Sequence, residues 1–140
     1  MFAPTSYQRA PSALTLSGMY RQVGVETGVK GAGPHQLVLM LYDGLLEAIA
    51  QARGAMRAHG TEAKARAITR AVRIVEEGLK SALSPAGGDL SINLSNLYAY
   101  VSMRLLQAHA RNDEVALEEC TRLIQPLRDA WAEIGASLPS

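Results

Sequence analysis

The residues in this chain that could do chemistry are three histidines, one cysteine and thirteen carboxylates, and their spacing decides what they can do. Helical proteins hold paired metal ions with Glu-x-x-His pairs, but the residues three before His35, His59 and His109 are Ala32, Met56 and Leu106. Gly28-Val29-Lys30-Gly31-Ala32-Gly33 is glycine-rich yet lacks the Gly-Lys-Ser/Thr ending of a phosphate loop, so it reads as a linker. Cys120 falls on an apolar stripe and reads as a small buried hydrophobe. As the single cysteine it excludes an internal disulfide and suits a reducing compartment. Each histidine stands near a predicted helix end, where capping or solvation accounts for it. No catalytic set, metal set or cofactor site emerges, and the expectation is a protein that binds rather than reacts.

The elements that carry these residues are read from apolar periodicity. Asp43-Gly44 between two apolar runs is a hairpin signal, but Leu37, Val38, Leu41, Leu45, Ala48, Ile49, Ala52 and Met56 recur at three and four straight through it. That is a helical period, so one helix runs from Pro34 to about His59, ended by Gly60. Gly44, Ala48, Ala52 and Ala55 form a small-residue ridge where a neighbouring backbone can come close. A second helix, with Thr61 as N-cap, carries Ala67, Ile68, Ala71, Val72, Val75, Leu79 and Leu83. Ser-Pro-Ala-Gly-Gly at 84–88 breaks the pattern. Leu90, Leu94, Leu97, Val101, Leu105 and Ala108 mark a third helix, and Leu117, Cys120, Ile124, Leu127, Trp131 and Ile134 a fourth, after a break at Asn112-Asp113. Pro126 predicts a kink in the fourth. Four helices of about 22 to 26 residues joined by short connections predict an all-α, antiparallel four-helix bundle over 34–135. Residues 1–33, rich in Pro, Ser and Gly, are expected to form a flexible N-terminal segment, and 136–140 a C-terminal tail.

The chain has 140 residues, formal net charge +1, 48% hydrophobic and 19% charged residues, which allows one domain with a real core. No run reaches the roughly 18 apolar residues of a membrane span, and no basic-then-apolar leader opens the chain. A cytoplasmic protein without membrane insertion is expected. The second helix carries Arg66, Arg70, Arg73 and Lys80, interrupted by Glu77, and with so small a net charge this reads as a solvated face rather than a nucleic-acid stripe. Apolar surface is in surplus. Leu39, Tyr42 and Leu46 on the first helix, and Ile92, Tyr98, Tyr100, Met103 and Leu106 on the third, lie beside the core lines. Either the bundle core is wider than one stripe per helix, or this surface is covered by the N-terminal segment, by self-association or by a partner.

Several motifs in order resemble the flagellin-specific secretion chaperones, the FliS family. They are Pro34-His-Gln-Leu-Val-Leu-Met-Leu-Tyr-Asp-Gly44, then Ala71 with Ile74-Val75, then Gly87-Gly-Asp-Leu90 and Asn93-Leu-Ser-Asn-Leu-Tyr-Ala-Tyr100. Arg104-Leu105, Asn112-Asp113 and Leu127-Arg-Asp-Ala-Trp131 complete a resemblance over about residues 19 to 135. The chain departs from the family in having Gly33, not Ser, before the first-helix proline, and in its extra residues 1–18.

The resemblance implies a cytoplasmic export chaperone, not an enzyme and without a cofactor, that binds the disordered C-terminal region of flagellin and prevents premature polymerisation. It implies an N-terminal segment, with Tyr20 at the family's tyrosine, that covers part of the groove until flagellin displaces it. The candidate flagellin-binding residues are Tyr20, Leu39, Tyr42, Leu46, Asn93, Tyr98, Tyr100, Met103, Arg104, Leu106 and Trp131. The flagellar export apparatus is a further candidate partner, and the free chain is expected as a monomer or weak dimer. The competing reading is a homodimeric helical adaptor or regulatory protein that uses the same apolar surplus on itself.

Overall fold

The structure, a computed structural model, describes residues 33–136 apart from Ser84. The expectations for the N-terminal segment, including Tyr20, and for residues 137–140 fall outside the described residues. Within them the chain is helical, with no strand: α1 (Pro34–Arg57), α2 (Thr61–Arg73), α3 (Gly88–Arg111) and α4 (Glu114–Ala136). Helix α2 does not end at Arg73. Its rod continues as a π-helix over Ile74–Leu79 and a 3-10 turn over Lys80–Ala82, so the second predicted helix is present but not uniformly α.

The helix through Asp43-Gly44 is continuous, as the periodicity predicts. Gly33 stands at its N-cap in extended conformation (φ −68°, ψ 160°) without a side-chain cap. The end differs from expectation. His59, not Gly60, takes the left-handed conformation (φ 57°), and the Gly60 N–H returns to the Ala55 carbonyl at 2.8 Å. This closure satisfies a carbonyl that the helix end would otherwise leave free. Thr61 is the first helical residue rather than the cap. Gly60 occupies the cap position, with no side-chain hydrogen bond. The break at Asn112-Asp113 has a clear division of labour. Asn112 turns left-handed (φ 49°) to end α3, and Asp113 Oδ1 accepts the Val115 and Ala116 N–H groups at 3.0 and 3.3 Å to start α4. Helix α4 runs unbroken through the exposed Pro126.

Each helix packs on two neighbours, α1 and α3 both lying between α2 and α4. Contacts between helix ends give the antiparallel order. Arg53 and Arg57 at the end of α1 pair with Glu114 at the start of α4, where a carboxylate also suits the helix dipole. Lys64, early in α2 and only 7% exposed, donates to the His109 carbonyl (3.1 Å) and Asn112 Oδ1 (2.6 Å) at the end of α3. A lysine buried so deeply keeps its charge tolerable only through such partners. The core between the helices holds most of the predicted apolar set, joined by Tyr42 and Tyr98 and without Leu90 and Ile134, with Leu45, Ile49, Val75, Val101, Leu105, Leu117, Cys120 and Ile124 fully enclosed.

Candidate functional site

The surplus apolar residues divide into two groups. Tyr42 and Tyr98 are buried and meet in the core, hydroxyl to hydroxyl at 2.7 Å. Burial pushes the Tyr42 hydroxyl above its ordinary value, and the Tyr98 hydrogen bond offsets part of that shift. Here the core is wider than a single stripe per helix, so these two are not free surface. Leu39 and Leu46 are half-buried against the core. They share a flank with Arg53, whose ion pairs to Glu114 and Glu118 turn that flank toward α4. On α3, by contrast, Ile92, Met103 and Leu106 are exposed by 59%, 43% and 55%, and Tyr100 and Asn93 are exposed as well.

One end of the bundle is open. A cavity of about 160 Å³ lies there among Val38 and Tyr42 of α1, Leu79, Ala82 and Leu83 of the second rod, Leu90, Leu94 and Tyr98 of α3, and Leu127, Ala130, Trp131 and Ile134 of α4. Every lining residue is apolar or aromatic, and all four rods contribute. Leu90 and Ile134, read from periodicity as core positions, are 55% and 44% exposed at its mouth. They stand on the correct face of their helices but near the helix ends, where no further layer among the described residues covers them. This is also the end at which residues 1–33 join α1.

The mouth is held by a reciprocal clamp between α1 and α4. The His35 ring stacks on Trp131 with centroids 4.3 Å apart and planes 3° off parallel. His35 Nε2 lies 2.6 Å from the Trp131 carbonyl, and Trp131 Nε1 donates to the His35 carbonyl at 2.8 Å. Gly135 permits this: a Cβ there would stand 2.5 Å from His35 Nε2. Sequence reading treated His35 as a helix-end residue, because a contact across 96 positions leaves no local signal. Farther along the α3–α4 seam, outside the cavity lining, Glu119 gathers two candidate residues, accepting from Tyr100 Oη and Arg104 Nε, both at 2.7 Å. Asp43 pairs with Arg128 at 2.8 Å across α1 and α4.

The structure thus brings Tyr42, Tyr98 and Trp131 to the inner wall of the groove and sets Tyr100 and Arg104 along the α3–α4 seam. Met103 and Leu106 lie on the outer face of α3, and Leu39 and Leu46 on the α1–α4 flank. Elsewhere the chemistry is quiet. Cys120 is enclosed and its thiol is pushed up to about 12, mainly by burial, which makes it a poor nucleophile. Arg66, Arg70, Arg73 and Lys80 pair with Glu62, Glu47, Glu77 and Glu76, so the second helix presents mixed charge rather than a bare basic stripe. Among the described residues no helix is long and apolar enough to cross a membrane.

Comparison with known proteins adds to this geometry. A family model described as "Flagellar protein FliS" matches residues 16–138. The chain is 43% identical over 124 residues to the flagellar secretion chaperone FliS of Salmonella typhimurium, covering 86% of this chain and 92% of that protein. It is 42% identical over 115 residues to the protein of the same name from Escherichia coli, covering 81% and 85%. The Bacillus subtilis counterpart is 34% identical over 114 residues, covering 81% of each.

Proposed function

The chain belongs to the flagellar protein FliS family, and from that premise we propose that it is a cytoplasmic export chaperone for flagellin whose apolar groove takes the disordered C-terminal region of that subunit. The observation that carries the reading is the open groove walled by all four rods, with Tyr42, Tyr98 and Trp131 at its back. A chain that orders on binding gains from burying apolar anchors and loses about 1–2 kcal/mol of backbone entropy per residue fixed. A groove lined almost wholly by carbon favours such anchors over charged sequence. Tyr100, Arg104 and Asn93 extend the surface along α3 with polar positions for the partner's backbone, which an extended or partly helical segment presents in quantity. The role is sequestration: a segment held in the groove is unavailable for polymerisation and stays unfolded for export. Hand-over to the export apparatus would then follow release from this surface.

Calorimetric titration with the isolated flagellin C-terminal segment tests the proposal. The expected result is a 1:1 complex with a negative heat-capacity change, because apolar area is buried, and little loss of affinity as salt is raised. Trp131, the single tryptophan, should change its emission as the groove fills. Equal binding by flagellin lacking that region would overturn the proposal. The competing adaptor reading would leave the heat signal absent.

A further inference from the structure

The two helix ends that frame the groove mouth have little local means of holding themselves. Gly33, at the N-cap of α1, offers no side chain to the free N–H groups of the first turn, and that turn holds no acidic residue. On α4, Trp131 stands little more than one turn before Ala136, the last described helical residue. Helix ends of this kind fray, yet Trp131 is buried and forms part of the groove lining. What holds it is His35. The imidazole does not line the cavity but lies behind the indole, stacked on it at 4.3 Å and 3° off parallel. The Trp131 carbonyl can only accept, so His35 Nε2 carries the proton of the 2.6 Å bond and Nδ1 is left as a lone pair. That lone pair is buried without a partner. A ring needed only to fill space would be a phenyl ring, which carries no such cost. The histidine is accounted for by its Nε2–H bond, which fixes the plane of the imidazole and so the plane of the indole stacked on it.

We infer that His35 is a positioning residue for the substrate segment: it holds the Trp131 indole as a fixed end wall of the groove, and thereby sets which side chain the groove accepts. The position of the wall matters because the cavity is small. An apolar cavity of about 150 Å³ takes a benzene-sized solute, so one of about 160 Å³ takes a single apolar side chain of that size. The polar tips of its aromatic wall are already committed. The Tyr42 and Tyr98 hydroxyls meet each other, and Trp131 Nε1 donates to the His35 carbonyl. A hydroxyl or amide entering here would give up its water without replacement, so the anchor is an aliphatic or phenyl side chain of the flagellin segment. A wall fixed before binding also removes the cost of ordering it on binding. Gly135 belongs to the same device. A Cβ there would stand 2.5 Å from His35 Nε2 and push the imidazole off the indole. The inference rests on the groove reading above and extends it to two residues outside the groove.

Trp131, as the single tryptophan, reports both the wall and the filling of the groove. Titration of the flagellin C-terminal segment into the full chain tests the role, with emission and dissociation rate read for the wild type, His35→Ala, His35→Phe and Gly135→Ala. In free His35→Ala the indole should emit at longer wavelength and be quenched more by acrylamide, while circular dichroism stays helical. The segment should bind about two- to tenfold more weakly, the range that one aromatic pair is worth, and should dissociate faster by a similar factor. His35→Phe keeps a ring over the indole and should recover part of both. Gly135→Ala should reproduce these losses in the wild-type background and add nothing in the His35→Ala background, because the imidazole it displaces is already gone. General loosening of the helix ends would instead make the two losses add. Wild-type emission and affinity in His35→Ala, or additive losses in the double variant, overturn the inference and leave the groove reading in place. A wild-type chain that does not bind the segment at all overturns the groove reading, and this inference with it.

Discussion

Glu119 shows how a single carboxylate can hold part of a binding surface in place. It accepts from Tyr100 and Arg104, and these hydrogen bonds, that from Tyr100 foremost, hold its carboxyl below the ordinary value of 4.5. A carboxylate with a depressed pKa in the folded state adds stability above its unfolded value, and loses it as pH falls through the folded one. Urea midpoints should therefore fall as pH drops below about 4.5, and Glu119→Gln should flatten part of that decline while leaving α3 and α4 intact. An unchanged acid limb in the variant would mean that the pairing is not maintained in solution. Residue type and spacing indicated Tyr100 as a surface candidate and the family resemblance added Arg104, but neither gave the partner that fixes them, since Glu119 lies on another helix. His35 makes the same point more strongly: its stack with Trp131 joins the first described helix to the last.

At the scale of the element, the helical period carried most of the information, and what it missed has a common cause. Apolar residues at three and four placed every helix, including the passage through Asp43-Gly44, because each turn repeats the same exposure. The period gives an angle around the helix but not how far neighbours wrap it. Tyr42 and Tyr98 therefore looked like surplus and proved to be core, while Leu90 and Ile134 looked like core and stand at an open end. Nor does periodicity distinguish α from π, as Ile74–Leu79 shows. At Gly44 the neighbours are side-chain ends rather than the close backbone that the small-residue ridge predicts: an added Cβ would lie 3.4 Å from Ile74 Cδ1 and 3.5 Å from Arg70 Nη2. Those are ordinary contacts, so Gly44→Ala should fit and stabilise by about 0.5–1 kcal/mol through helix propensity. Gly44→Leu must displace Ile74, itself 9% exposed, and should cost about 1–3 kcal/mol. Thermal denaturation should rank alanine above glycine above leucine. A leucine variant as stable as the alanine one would show that α1 and α2 are not closely packed there.

For the molecule as a whole, an apolar groove open to water at one end of the bundle is a liability unless something covers it between rounds of binding. Residues 1–33 join α1 at that end, and their sequence carries anchors at Met19, Tyr20, Val23, Val25 and Val29 among glycines at 18, 24, 28, 31 and 33. Anchors spaced by glycine can bury apolar area, yet each residue fixed costs about 1–2 kcal/mol of backbone entropy, and a glycine loses more than other residues. The net attraction of such a segment is small, which suits a cover that flagellin must displace and would not suit a permanent part of the core. We hypothesise that it competes with flagellin for the groove around Tyr42, Tyr98 and Trp131. A closed fraction lowers the apparent affinity for substrate by that same fraction, so deleting residues 1–29 should tighten binding of the flagellin C-terminal segment. It should also raise the binding of an apolar dye by the free protein, because more of the groove then faces water. Titration calorimetry and dye fluorescence on the full and shortened chains read the two effects separately. Weaker substrate binding with unchanged dye signal would make the segment part of the binding site itself, and the idea of a competing cover would fail.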